Sequence, residues 1–259
     1  MKALVLSDLH LQTIVFTDIF RFEKTKRILQ NQIKGEYDIV LISGDIFESS
    51  IYRHDVNDIL NKLYQLFEKD VIFCLGNHEF AYKNIDYVLD YWKNGKHDHV
   101  FCLDVLNKVE ISGITFVGNI FWYDFSLNKN RTLMQGEVVD GWLDSTIDNF
   151  DPIEENKKCK QQILNSLSKE NINVLITHTV PHIDLNMFSI DMPTSLYNAY
   201  SGCENFLSEL TDFNVKYAIC GHTHRRVCKE IYGINCINIG NDYFFKTNKI
   251  EYMIIDILI

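Results

Sequence analysis

The chain has 259 residues, 46% of them apolar and 23% charged, proportions ordinary for a soluble protein with a large core. Its formal net charge of −10 argues against a protein that grips duplex nucleic acid over its whole surface. No apolar run reaches the length of a membrane span, strand-like residues follow Met1 too closely for a secretory signal, and seven cysteines with no Cys-x-x-Cys pair read as core residues in a reducing compartment. The expectation is a cytoplasmic enzyme or binding protein.

Residues 2–6 form the first predicted strand, which delivers Ser7-Asp8-Leu9-His10. Ile19, Phe22, Leu29 and Ile33 predict a helix over 18–33, ended by Gly35. Residues 38–43 are a second buried strand, delivering Gly44-Asp45. A helix follows over about 55–67, where Val56, Ile59, Leu60, Leu63 and Phe67 recur at helical spacing. The third strand opens at Val71, and its apolar run stops at Gly76-Asn77-His78-Glu79. Hydrophobic residues on both of its faces mark it as fully buried. A helix near 84–92 comes next. The alternation implies parallel strands joined by right-handed crossovers.

Short strands over 100–103, 108–111 and 115–117 then suggest a meander at the edge of the sheet. Residues 119–156 are the least regular stretch and are expected to form a long loop or small cap. A helix near 158–167 and a strand over 173–177 restore the pattern, and that strand delivers His178. After a short helix over 204–210, a strand over 217–220 delivers Gly221-His222-Thr223-His224. Strands over 227–231, 235–239 and 250–254 close the chain, read as antiparallel. No repeat, low-complexity tract or linker interrupts this order. The expected architecture is α/β, one domain over residues 1–259, with two stacked mixed sheets flanked by helices.

Asp8, His10, Asp45, Asn77, His78, His178, His222 and His224 all fall at carboxyl ends of predicted strands, where open α/β sheets bind ligands. They comprise two carboxylates, one amide and five imidazoles, with no thiolate. That mixture suits Mn²⁺, Fe, Zn²⁺ or Mg²⁺. The donors are too many for one tetrahedral ion, whereas two ions sharing a carboxylate would use nearly all of them. Each ending alone has an ordinary explanation as a helix cap or turn. The repetition points to a metal site.

These residues also carry a resemblance. Asp8-Leu9-His10, Gly44-Asp45, Gly76-Asn77-His78-Glu79, His178 with Pro181 three later, and Gly221-His222-Thr223-His224 are similar, in that order, to the motif blocks of calcineurin-like metallophosphoesterases. The resemblance covers residues 2 to about 240. It implies a β-sandwich flanked by helices and a dinuclear centre. Asp8, His10 and His224 would hold one ion, Asn77, His178 and His222 the other, and Asp45 would bridge them. It also implies hydrolysis of a phosphodiester or phosphomonoester by in-line attack of a metal-bridging hydroxide, with manganese the leading ion.

By the same resemblance His78 is the acid that protonates the leaving group or steadies the transition state. Glu79 stands where the family often has Asp and is expected to orient that imidazole; a solvated helix-start acid is the competing reading. Gly44-Asp45-Ile46-Phe47-Glu48 lacks the arginine carried there by the protein serine/threonine phosphatase branch. Arg53 and His54 could contact substrate phosphate, and Trp122 and Tyr123 could stack on a base or sugar, against solvation and core packing as alternatives. The expected substrate is a small phosphate ester or a nucleotide. A nuclease of the same superfamily and a catalytically silent protein-binding scaffold stay open; the first needs a basic DNA path, and the second should have lost ligands.

Overall fold

A computed structural model of the protein describes residues 1–128, 138, 141–186, 195–241 and 247–258. Its strands are β1 (Lys2–Leu6), β2 (Ile39–Ser43), β3 (Asp70–Cys74), β4 (Val100–Cys102), β5 (Lys108–Ile111) and β6 (Ile114–Asn119), followed by β7 (Ile172–Thr177), β8 (Val215–Cys220), β9 (Val227–Ile231), β10 (Ile234–Asn238) and β11 (Met253–Asp256). The helices are α1 (Thr13–Thr17), α2 (Ile19–Gln32), α3 (Val56–Phe67), α4 (Asn77–Phe80), α5 (Ile85–Lys93), α6 (Leu103–Leu106), α7 (Pro152–Ser166) and α8 (Ser195–Ala199).

The strands build two mixed sheets, in the orders β11-β1-β2-β3-β4 and β5-β6-β7-β8-β10-β9. Within the first, β1 to β4 run parallel and β11 lies antiparallel to β1. Within the second, β6, β7, β8 and β10 run parallel, with antiparallel strands at both edges. Alternation along the strands explains why both faces are apolar. Val5, Leu41, Ile72 and Cys74 belong to the same buried cluster as Phe116, Val174, Ile176 and Ile219 of the other sheet. Leu4, Leu6, Val40, Ile42 and Phe73 instead join Phe22 and Leu29 of α2 and Ile59 and Leu63 of α3. Helices therefore cover the outer faces, giving the two-sheet α/β sandwich that the sequence predicts. Among the described residues no helix is long and apolar enough to cross a membrane.

The structure departs from the sequence reading where local pattern was short. The predicted meander is divided: β4 closes the first sheet beside β3, whereas β5 and β6 form a hairpin at the edge of the second. The single turn of α6 carries the chain between them. The last strands split likewise, since β10 is parallel to β8 and β11 crosses back to β1. α7 begins six residues before its predicted start, because the Asp151 carboxylate accepts the N–H groups of Ile153 and Glu154 and Pro152 occupies the first turn. The irregular segment is correspondingly shorter, and its residues 129–137 and 139–140 lie outside the described residues. The predicted helix over 204–210 is a 3₁₀ turn at Leu207–Leu210.

Candidate metal centre

The parallel strands β1, β2 and β3 end side by side, as do β7 and β8, and the residues that follow them meet across the two sheets. Backbone bonds lock these ends together. Asp8 N–H donates to the Gly44 carbonyl at 3.1 Å, His10 N–H to that of Asp45 at 2.8 Å, and Gly221 N–H to that of His178 at 3.0 Å. Asp8, His10, Asp45, His222 and His224 all adopt positive φ, between +45° and +67°. That region is costly for residues with a Cβ, and such outliers gather at functional sites. Two glycines make room for the acids: a Cβ on Gly76 would collide with Asp45 Oδ1, and one on Gly221 with Ser7 Oγ and Asp8 Oδ2.

Three sets of acid and imidazole atoms each lie within 4.8 Å of one another: Asp8, His10 and His224; His10, Asp45 and His78; and Asp8, Asp45 and His178. Asp8 and Asp45 are buried, so their charges need partners. Asp45 Oδ2 lies 3.4 Å from His178 Nε2, 3.7 Å from His10 Nε2 and 4.0 Å from His78 Nε2. Burial would raise the Asp45 pKa, but His178 and His78 hold it well below the ordinary carboxylate range.

Asn77, His178 and His222 form a second convergence. His178 Nε2 lies 3.2 Å from Asn77 Oδ1 and 3.2 Å from His222 Nδ1. The far side of each ring is committed to a backbone carbonyl: His178 Nδ1–H donates to Ser43 at 2.9 Å and His222 Nε2–H to Tyr200 at 2.9 Å. The inward atoms are thereby the ones free to ligate. Burial would lower the His178 pKa, yet the Asp45 carboxylate lifts it to about 10. Burial and the neighbouring His178 drive His222 down to about 4. A cluster of buried carboxylate oxygens, one amide oxygen and inward-facing imidazole nitrogens fits divalent cations.

The structure reassigns the carboxylate beside His78. Glu79, expected to orient that ring, is fully buried and turned away: its oxygens accept Phe47 N–H and Gly76 N–H, each at 2.7 Å. It thus caps its own helical turn, α4, and ties it to the loop after β2. Glu48 takes the place at His78. Its Oε2 lies 3.2 Å from His78 Nδ1 and its Oε1 3.4 Å from His10 Nδ1. Burial opposes ionisation of Glu48, but hydrogen bonds from His10 and His78 bring its pKa to about 2. Burial would also lower the His78 pKa; Asp45 and Glu48 raise it to about 9.

A cavity of about 480 Å³ opens on this centre, and His78, Trp142, Leu143, Tyr197, Ser201 and His224 are among the residues lining it. Trp142 stacks on Tyr200 with ring centroids 4.4 Å apart and meets Tyr197 at 5.3 Å. Trp122 and Tyr123, the aromatics expected at the substrate, are instead 1% and 0% exposed. Trp122 packs on Phe80 and Phe150, and the Tyr123 hydroxyl donates to Asp144. They follow β6 directly and drop into the core, where an exposed ring would cost burial energy. Arg53 ends the 3₁₀ turn Ser49–Arg53 exposed to solvent, and neither it nor His54 lines the cavity.

A family model for calcineurin-like phosphoesterases matches residues 1–226. Among solved structures, a phosphopantetheinyl hydrolase from Mycobacterium tuberculosis is similar over 97% of this chain and 95% of its own, at 15% identity and a TM-score of 0.66. A dimetal phosphatase from Danio rerio is similar over 93% and 87%, at 14% identity and a TM-score of 0.48. No curated protein matches the sequence significantly.

Proposed function

The chain belongs to the calcineurin-like phosphoesterase family, and from that premise we propose that it is a two-metal hydrolase of a small phosphate ester. Asp8, His10 and His224 would hold one divalent ion, Asn77, His178 and His222 the other, and Asp45 would serve both. The donors, oxygen and nitrogen without thiolate, suit Mn²⁺, Fe, Zn²⁺ or Mg²⁺, and manganese leads by the family resemblance. When bound, two such ions supply a water of lowered pKa as nucleophile and neutralise charge on the phosphoryl oxygens.

The chain's own residues orient and move protons. The Ser43 and Tyr200 carbonyls hold His178 and His222 in their ligating tautomers. Glu48 grips His78 through Nδ1, which favours the protonated ring and leaves Nε2–H to protonate the leaving oxygen. The observation that carries this reading is the meeting of Asn77 Oδ1, His178 Nε2 and His222 Nδ1 within hydrogen-bond distance. Those three lone-pair atoms cohere only around a proton or a cation.

A small-molecule ester is favoured because the cavity, about 480 Å³, falls within the roughly 300–1,000 Å³ typical of such pockets. All seven cysteines are free thiols, six of them buried, which supports a reducing, cytoplasmic setting. Hydrolysis of bis-p-nitrophenyl and p-nitrophenyl phosphate with Mn²⁺ separates diester from monoester chemistry. A phosphopantetheinyl ester, the group named for the Mycobacterium tuberculosis protein, belongs in the same panel. Turnover of none of these with Mn²⁺, Fe²⁺, Zn²⁺ or Mg²⁺ contradicts the proposal.

A further inference from the structure

Asp144 lies on the 3₁₀ turn Leu143–Thr146 and is 1% exposed. Its two oxygens have different partners. Oδ1 accepts from Asn77 Nδ2 at 2.8 Å, and Oδ2 accepts from the hydroxyl of the fully buried Tyr123 at 2.9 Å. We infer that Asp144 is a positioning residue that latches the Asn77 amide so that its carbonyl oxygen, and not its NH₂ group, faces the metal centre. The inference rests on the assignment of Asn77 as a ligand in the reading above.

The two ends of an asparagine amide have nearly the same shape, so sterics alone do not choose between them. A metal needs the oxygen end. The opposite orientation would aim Nδ2–H at His178 Nε2, 3.2 Å from the present Oδ1. Once His178 presents a lone pair there, that contact becomes an attractive hydrogen bond and removes both ligand atoms from use. A carboxylate is acceptor-only when ionised, so Asp144 retains the NH₂ end and excludes the reversed amide. Tyr123, fully buried, pins the second oxygen, and Asp144 is itself buried, whereas Asn77 also borders the cavity. The latch also joins two parts of the site: Trp142 and Leu143, adjoining Asp144 in sequence, line the cavity.

Titration of metal-free protein with Mn²⁺ by calorimetry tests this, with thermal unfolding of each metal-free variant recorded alongside. Asp144→Leu keeps the branched shape, at a larger volume, and removes the acceptor, so it should weaken binding of one of the two ions by about 10- to 100-fold, as loss of an outer-sphere partner does. Affinity for the other ion should stay unchanged. Asp144→Asn should restore the weakened ion's affinity only in part, because its amide can accept from Asn77 through its oxygen but can also turn its NH₂ group toward it. A loss as large as in Asp144→Leu would show that an acceptor at this position is not what matters. Two wild-type affinities in a folded Asp144→Leu protein would overturn the inference while leaving the two-metal reading intact. Failure of the unmutated protein to bind Mn²⁺ would overturn both. If Asp144→Leu does not fold, a crystal of the unmutated protein soaked in Mn²⁺ decides. The expected result is Oδ1 of Asn77 on an ion with Nδ2 on Asp144; an amide released from Asp144 refutes the latch.

Discussion

The carboxylate of Glu48 lies 3.2 Å from Nδ1 of His78, although thirty residues separate the two in sequence. The loops after β2 and β3 run side by side, and in the proposed mechanism this pairing is what would keep His78 protonated as the acid. Its pKa is raised to about 9, burial being outweighed by Asp45 and Glu48. An acid catalyst works while protonated, so activity should fall at alkaline pH as His78 loses its proton. With ions on Asp45 that limb should lie below the metal-free value, and Glu48 is then the carboxylate that still favours the imidazolium.

Glu48→Gln removes the anion that favours the imidazolium, so the His78 pKa should fall. The alkaline limb of kcat/KM must then move to lower pH, with reduced activity at pH 8. An unmoved limb would show that Glu48 does not act through His78. His78→Ala should lower kcat by about 10²–10⁴ while bound Mn²⁺, counted by elemental analysis, stays at the wild-type level.

Glu79 makes a different prediction, because its role is to hold two loops together. Glu79→Ala leaves the Phe47 and Gly76 N–H groups without their acceptor, at a cost of about 1–3 kcal/mol for each group that stays buried and unsatisfied. Glu79→Gln keeps one acceptor and should lose roughly half as much. Urea unfolding in EDTA measures both losses without a contribution from bound metal, and wild-type stability in Glu79→Ala would refute this role.

Trp142 presents an aromatic wall to the cavity, backed by Tyr200. An aromatic contact is worth about 0.5–1.5 kcal/mol, so Trp142→Ala should raise KM for p-nitrophenyl esters by about 2- to 10-fold with kcat little changed. A purely aliphatic phosphate ester should be less affected. Equal effects on both ester types would count against a stacking role.

The sandwich was legible because buried strands write unbroken apolar runs, and each run ended in the same kind of residue. The grouping of Asp8, His10, Asp45, Asn77, His178, His222 and His224 followed from that repetition, since parallel neighbours must end together. Sequence adjacency misled at Glu79: one helical turn swings its carboxylate back to Gly76, while Glu48 arrives from the neighbouring loop. Its spacing, three residues past Asp45, was the available signal, because parallel loops at adjacent strand ends bring such positions opposite each other. Trp122 and Trp142 illustrate a second limit. Both are aromatics in an irregular segment, where no periodicity says which ring points inward. Asp144 left no trace in the motifs, because its partner Asn77 is brought to it only by tertiary packing.

Donors from five strand ends are proposed to serve a pair of cations, and stepwise return of metal probes that pairing. Protein stripped with EDTA is given Mn²⁺ in increments while bound ions and hydrolysis of bis-p-nitrophenyl and p-nitrophenyl phosphate are followed together. Binding should saturate at two ions per chain, hydrolysis should return as the second site fills, and Asp45→Asn should lose both. Full hydrolysis in EDTA, or saturation at one ion per chain or fewer, would contradict the pairing.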